Sequence, residues 1–146
     1  MGLEEKLAGV VDLIKMKALY FEGEKGIDVV EKEISAEFKS EAEEWRHKMV
    51  EKIAGEDNAL TEKFLEGKEI TAEEIKSVLR KSVLNYKLIP VFCGSALKNK
   101  GTQLILAAVV DYLPSPKDIG FVKATDPKTG AEIERKFSDE EPFAAL

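Results

Sequence analysis

Leu88-Ile89-Pro90-Val91-Phe92-Cys93-Gly94-Ser95-Ala96-Leu97-Lys98 is the stretch on which the fold of this 146-residue chain turns. Residues 88–93 are nearly all apolar, which predicts a short strand covered on both faces. Pro90 has no N–H, so it belongs early in that strand or where no ladder bond is required. A tight loop of small residues follows, with accessible backbone N–H groups, and two readings of it stand side by side. In the structural one, Gly94 permits a sharp turn, Ser95 bonds locally and Ala96 permits close packing. In the functional one, the N–H groups of Ser95, Ala96 and Leu97 face a carbonyl oxygen on a purine base. Guanine offers an acceptor at O6 where adenine offers a donor, so open N–H groups favour guanine. Cys93 is expected to pack inertly at the end of the buried strand.

C-terminal to the loop, Lys98-Asn99-Lys100-Gly101 reads as a turn and Thr102 as a helix N-cap. Leu104, Ile105, Ala108, Val109, Tyr112 and Leu113 form the apolar side of a helix that Pro114-Ser115-Pro116 stops. Two short runs at 121–125 and 131–137, joined by a turn at 126–130, predict a hairpin. The last residues, Phe143-Ala-Ala-Leu146, are expected to be disordered or to pack incidentally.

On the N-terminal side, Thr71 and Glu74 predict a capping box, with Ile70 and Ile75 as its hydrophobic staple. From Ile75, the positions Val78, Leu79, Val83 and Tyr86 keep one inward face. Phe38, Ala42, Trp45, Met49 and Ile53 recur at helical spacing and predict a helix anchored by Trp45. A shorter helix carries Leu60, Phe64 and Leu65. Residues 9–21 read as one long strand, and 27–34 as its hairpin partner, with the helices covering the hairpin. Helix, strand, loop and helix over residues 72–113 make the tail of an α/β unit.

The net charge of −6 is unevenly placed: residues 22–74 carry −9 and the remainder +3. An acidic lobe repels a nucleic-acid backbone, suits a basic protein partner, or simply keeps the lobe soluble. One cysteine excludes a disulfide framework within the chain, and one histidine beside it leaves no structural zinc site. His47 reads as a solvated helical histidine, and adjacent Glu73 and Glu74 as helix-capping groups rather than a carboxylate pair. No apolar run reaches membrane-spanning length.

Three blocks carry a resemblance: Gly9-Val-Val-Asp-Leu-Ile-Lys-Met-Lys-Ala18, Phe92-Cys-Gly-Ser-Ala-Leu-Lys-Asn-Lys-Gly101 and Ala108-Val-Val-Asp-Tyr-Leu-Pro-Ser-Pro116. In this order they closely resemble the bacterial elongation factor G family, the ribosomal translocases among the translational GTPases. The resemblance implies an α/β fold: a partial P-loop GTPase domain with an α+β insertion subdomain, a hairpin packed by helices. Residues 1–87 would be the insertion subdomain, and 88–116 the last strand, guanine loop and final helix of the GTPase domain. Residues 117–146 would be a linker and the start of a β-barrel domain. Ser95, Ala96 and Leu97 would be the guanine-recognition motif, with GTP and Mg²⁺ bound only in an intact parent. The implied partners are the remaining GTPase domain and the stalk protein of the large ribosomal subunit, the latter through residues 22–74. No membrane partner and a cytoplasmic location are expected.

The family's phosphate loop, switch segments and Asn-Lys-x-Asp motif do not occur in this sequence. The 94–101 segment lacks phosphate-loop spacing. This chain alone is therefore expected neither to bind GTP detectably nor to hydrolyse it, and to hold no cofactor. A non-physiological dimer through exposed strand edges is a further expectation. Two other readings stay open: a fragment of a paralogous GTPase, such as a ribosomal protection protein or a mitochondrial-type factor, and a free-standing, non-catalytic ribosome-binding adaptor.

Overall fold

A computed structural model describes residues 1–2, 6–126, 128–138 and 140. The chain forms two compact units, Met1–Leu113 and Pro114–Leu146. The first begins with three antiparallel strands, β1 (Gly9–Asp12), β2 (Lys17–Glu22) and β3 (Asp28–Lys32), in the order β1-β2-β3. The helices α1 (Ala36–Ala54), α2 (Asn58–Leu65), α3 (Ala72–Leu84) and α4 (Thr102–Tyr112) follow. The protein is thus mixed α/β, with small antiparallel sheets.

Residues 9–21 are two strands rather than the one expected from their composition. Asp12 turns the chain: its carboxylate accepts the N–H of Ile14 at 2.8 Å and of Lys15 at 3.0 Å, and Met16 takes a positive φ of 55°. From α1, Arg46 donates to the carbonyls of Leu13 and Ile14, both at 2.6 Å. A local carboxylate and a distant guanidinium therefore override a strand-like sequence.

The main core gathers Val50, Ile53 and Ala54 of α1, Leu60 of α2, Ile70, Ile75 and Leu79 around α3, and Tyr112 of α4. Trp45 does not anchor it and remains 53% exposed. The inward face of α1 runs through Ala42, Arg46, Met49, Val50 and Ile53, with Arg46 half-buried where the expected stripe would have Trp45. A one-residue offset is about 100° around a helix, enough to turn the indole outward. The sheet makes a second, smaller core from Val10, Leu19 and Phe21, covered by Leu104 of α4.

The start of α3 forms as its sequence predicts. Glu74 N–H donates to Thr71 Oγ1 at 3.3 Å, and Thr71 N–H donates to Glu74 Oε2 at 3.0 Å, while Ile70 and Ile75 are both buried. The Lys63 ammonium, then the Thr71 N–H, hold the Glu74 carboxyl down at about 2 against an ordinary 4.5. A lowered native value stabilises the fold above the unfolded value, and that contribution disappears as pH falls through the native one. The stability gap between the parent and Glu74→Gln should be full at neutral pH and close as pH drops from 4.5 towards about 2. Urea titrations across that range would show it; a gap independent of pH would contradict the assignment. Thr71→Ala should cost about 1 kcal/mol.

The segment after α3 departs from expectation. Residues 88–93 form no strand and join no sheet among the described residues, although β1 and β3 each pair on one side only. Leu88 packs on the main core, whereas Ile89 is 86% and Val91 90% exposed. Cys93, expected in the interior, is an exposed free thiol. Gly101, with φ 89°, is the N-cap of α4, and Thr102 is its first helical residue. Leu104, Ala108 and Tyr112 turn inward; Leu106 and Val110 lie outward.

The second unit holds α5 (Pro116–Ile119), capped by Ser115 and Asp118, and the antiparallel pair β4 (Phe121–Thr125) and β5 (Glu132–Lys136). Asp126 closes the turn between these strands, its carbonyl accepting the Gly130 N–H at 2.8 Å and its carboxylate the Lys128 N–H at 2.8 Å. The expectation for Phe143–Leu146 lies outside the described residues.

Candidate functional site

The loop at 94–101 is a closed turn. Ser95 N–H donates to the Lys100 carbonyl at 2.8 Å, Lys100 N–H donates to the Ser95 carbonyl at 2.9 Å, and Asn99 N–H reaches the Ala96 carbonyl at 3.1 Å. Asn99 adopts φ 50°, a conformation that asparagine tolerates better than most residues. A Cβ on Gly94 would lie 2.4 Å from the Lys100 carbonyl oxygen, so glycine is required for the two sides of the turn to meet.

Of the three candidate residues, Ser95 therefore has its N–H committed inside the turn. Ala96 and Leu97 keep theirs open: neither N–H meets an acceptor among the described residues. Both residues are exposed, and the Leu97 side chain is 97% exposed. Two adjacent backbone donors on a braced turn can bond an acceptor atom of a ligand without the help of a side chain.

Polar side chains fix the loop and α4 to the rest of the unit. At the loop end, Asn99 Nδ2 donates to the Lys25 carbonyl at 3.1 Å, and Gln103 Nε2 to the carbonyls of Gly26 and Ile27 at 3.2 and 3.3 Å. Lys100 donates its ammonium to the Leu7 carbonyl, so it braces the fold rather than a solvated turn. At the other end, Lys76 pairs with Asp111 at 2.8 Å, and Arg80 donates to the Asp111 carbonyl at 2.6 Å. Asp111 in turn raises the pKa of Lys76, and burial raises that of Tyr112. Asn99, Gln103, Arg46 and Arg80 give no sign of these roles in the sequence. Each reaches a carbonyl at least 30 positions away, and no spacing pattern encodes that.

Elsewhere, exposed His47 stacks at a tilt on Phe64, with ring centroids 5.1 Å apart. Among the described residues no group of three or more His, Cys, Asp or Glu side chains converges as a metal site would. The acidic lobe at 22–74 spans β3, α1, α2 and the start of α3.

Fold and site together define a mixed α/β protein whose second core carries a braced, backbone-presenting turn. No model of a known protein family matches the chain. It is similar to a protein of Thermus thermophilus of known crystal structure, with TM-score 0.69 and 26% identity over 92% of this chain. The match covers 21% of the Thermus protein, so this chain spans about a fifth of that protein's length.

Proposed function

We propose that this chain is a segment of a ribosomal translocation GTPase of the elongation factor G type. It supplies part of the guanine-binding wall and a lobe that docks on the ribosomal stalk. The observation that carries this reading is the pair of open N–H groups on Ala96 and Leu97, set on a turn whose Ser95–Lys100 bridge fixes its shape. The three sequence blocks of the resemblance support it.

In this reading the Ala96 and Leu97 N–H groups bond guanine O6 and reject the amino group that adenine carries there. Phosphoryl transfer from GTP to water needs a phosphate cradle, Mg²⁺ ligands and a residue that orients the water. Other parts of the parent polypeptide provide those, and this chain alone is inactive. The unpaired apolar segment 88–93 and the outward Leu106 and Val110 of α4 are the faces on which the remaining GTPase domain packs. The acidic lobe at 22–74 meets basic side chains of the stalk protein. The protein works in the cytoplasm, and no helix among the described residues is long and apolar enough to cross a membrane.

The test joins this chain to the phosphate-binding segments in one polypeptide and replaces Leu97 with proline, which deletes one N–H donor. GTP affinity should fall about tenfold to a hundredfold while weak ATP binding is unchanged. Equal GTP affinity in the two proteins would overturn the guanine assignment. For the lobe, the stalk protein's C-terminal domain should retain this chain above an unrelated acidic helical domain; equal retention would overturn docking.

A further inference from the structure

We infer that the turn between β2 and β3, residues 23–27, is the positioning element of the base-reading loop, with Asn99 and Gln103 as its positioning residues. This rests on the proposed reading of Ala96 and Leu97. Two independent observations place turn and loop against each other. The first is the set of donations from Asn99 to the Lys25 carbonyl and from Gln103 to the Gly26 and Ile27 carbonyls. The second is backbone proximity: a Cβ on Gly26 would lie 3.2 Å from the Lys98 carbonyl oxygen and 3.3 Å from that of Asn99. Gly26 also has φ 65°, so the turn is held in a left-handed conformation where it meets the loop.

The consequence is a mechanical link. The loop's own hydrogen bonds fix its shape, but nothing in them fixes where Ala96 and Leu97 sit relative to the sheet. Asn99 and Gln103 do that on the side of β3, while Lys100 ties the loop to the Leu7 carbonyl ahead of β1; the carbonyls that Asn99 and Gln103 use belong to the acidic lobe. A partner that displaces residues 23–27 therefore moves the two open N–H groups, and a ligand held by those groups resists the displacement. The docking lobe and the base-reading loop are in this way coupled through three carbonyls.

The test is amide spectroscopy on the isotope-labelled 146-residue chain. Asn99→Asp keeps the size of the residue and its tolerance of positive φ but removes the donor; Gln103→Met removes the second donor. Each should shift the Ala96 and Leu97 amide resonances and speed exchange at Ser95 and Lys100 roughly tenfold, with the resonances of Ile75 and Leu79 unmoved. Gln103→Lys, which restores an N–H donor, should return the loop resonances towards the parent positions. Gly26→Ala, a change distant in sequence from the loop, should shift the same two amides from the other side. Loop resonances that stay at parent positions in Asn99→Asp, Gln103→Met and Gly26→Ala would overturn the inference, as would failure of Gln103→Lys to restore them. These readouts need no nucleotide, so a failure of guanine recognition in the longer polypeptide would leave the link standing, and the converse.

Discussion

Ile75→Ala should lower the stability of the Met1–Leu113 unit by about 3 kcal/mol, within the roughly 2–5 kcal/mol range for truncating a buried isoleucine. Its side chain is fully buried at the centre of a cluster to which α1, α2, α3 and α4 all contribute. Truncation removes apolar surface from several helix contacts at once and also ends the staple with Ile70, so the start of α3 frays with it. For a domain of ordinary stability this is a large fraction of the total, a change of roughly a hundredfold in the folded-to-unfolded ratio. Urea unfolding followed by circular dichroism should show a lower midpoint at constant slope. A loss under about 1 kcal/mol would mean that the site collapses around the missing atoms. Trp45→Ala gives the contrasting case: it removes a larger side chain but, with the indole half-exposed, should cost less than Ile75→Ala.

That contrast marks what the sequence could reveal. The capping box at Thr71 and Glu74 was legible because donor, acceptor and staple are close neighbours along the chain. The turn at Asp126 and the helices α1 to α4 were legible for the same reason. The departures occurred where a distant group took part in deciding the outcome, in residues 9–21 together with the local Asp12 carboxylate. Residues 9–21 look like one strand until Arg46 is placed on the carbonyls of Leu13 and Ile14. Trp45 looks buried until the half-buried Arg46 fixes the phase of α1. The apolar run at 88–93 has the composition of a strand, yet none forms there: a strand also needs a neighbour, and composition does not say where the neighbour is. In the candidate site, the small residues at 94–96 pointed to the turn. Which of its N–H groups would stay open depended on the Ser95–Lys100 bridge, and that followed from Gly94 admitting the Lys100 carbonyl.

The same apolar run yields the second large effect. At high concentration the chain should self-associate through residues 88–93, and Val91→Lys should weaken that association at least about tenfold. Ile89 and Val91 are almost fully exposed, while Leu88 is held against the core, so one side of the segment is fixed and the other is open. Its backbone N–H and C=O groups have no ladder partner among the described residues. An apolar segment whose backbone is unpaired is a template for strand addition by another copy of itself. Lysine at 91 puts a charge where pairing would bury it, and burying an unpaired charge costs far more than the valine contact contributes. Because Val91 makes so little contact within its own chain, the substitution should leave the thermal midpoint of the dilute protein nearly unchanged. Sedimentation equilibrium of parent and variant over the same concentration range separates the outcomes. A parent that stays monomeric, or a variant that associates equally well, would show that the edge is protected by some other means. If the chain is part of the longer GTPase proposed above, a strand of that polypeptide would take this place, and Val91→Lys would there destabilise the fold instead of preventing a dimer.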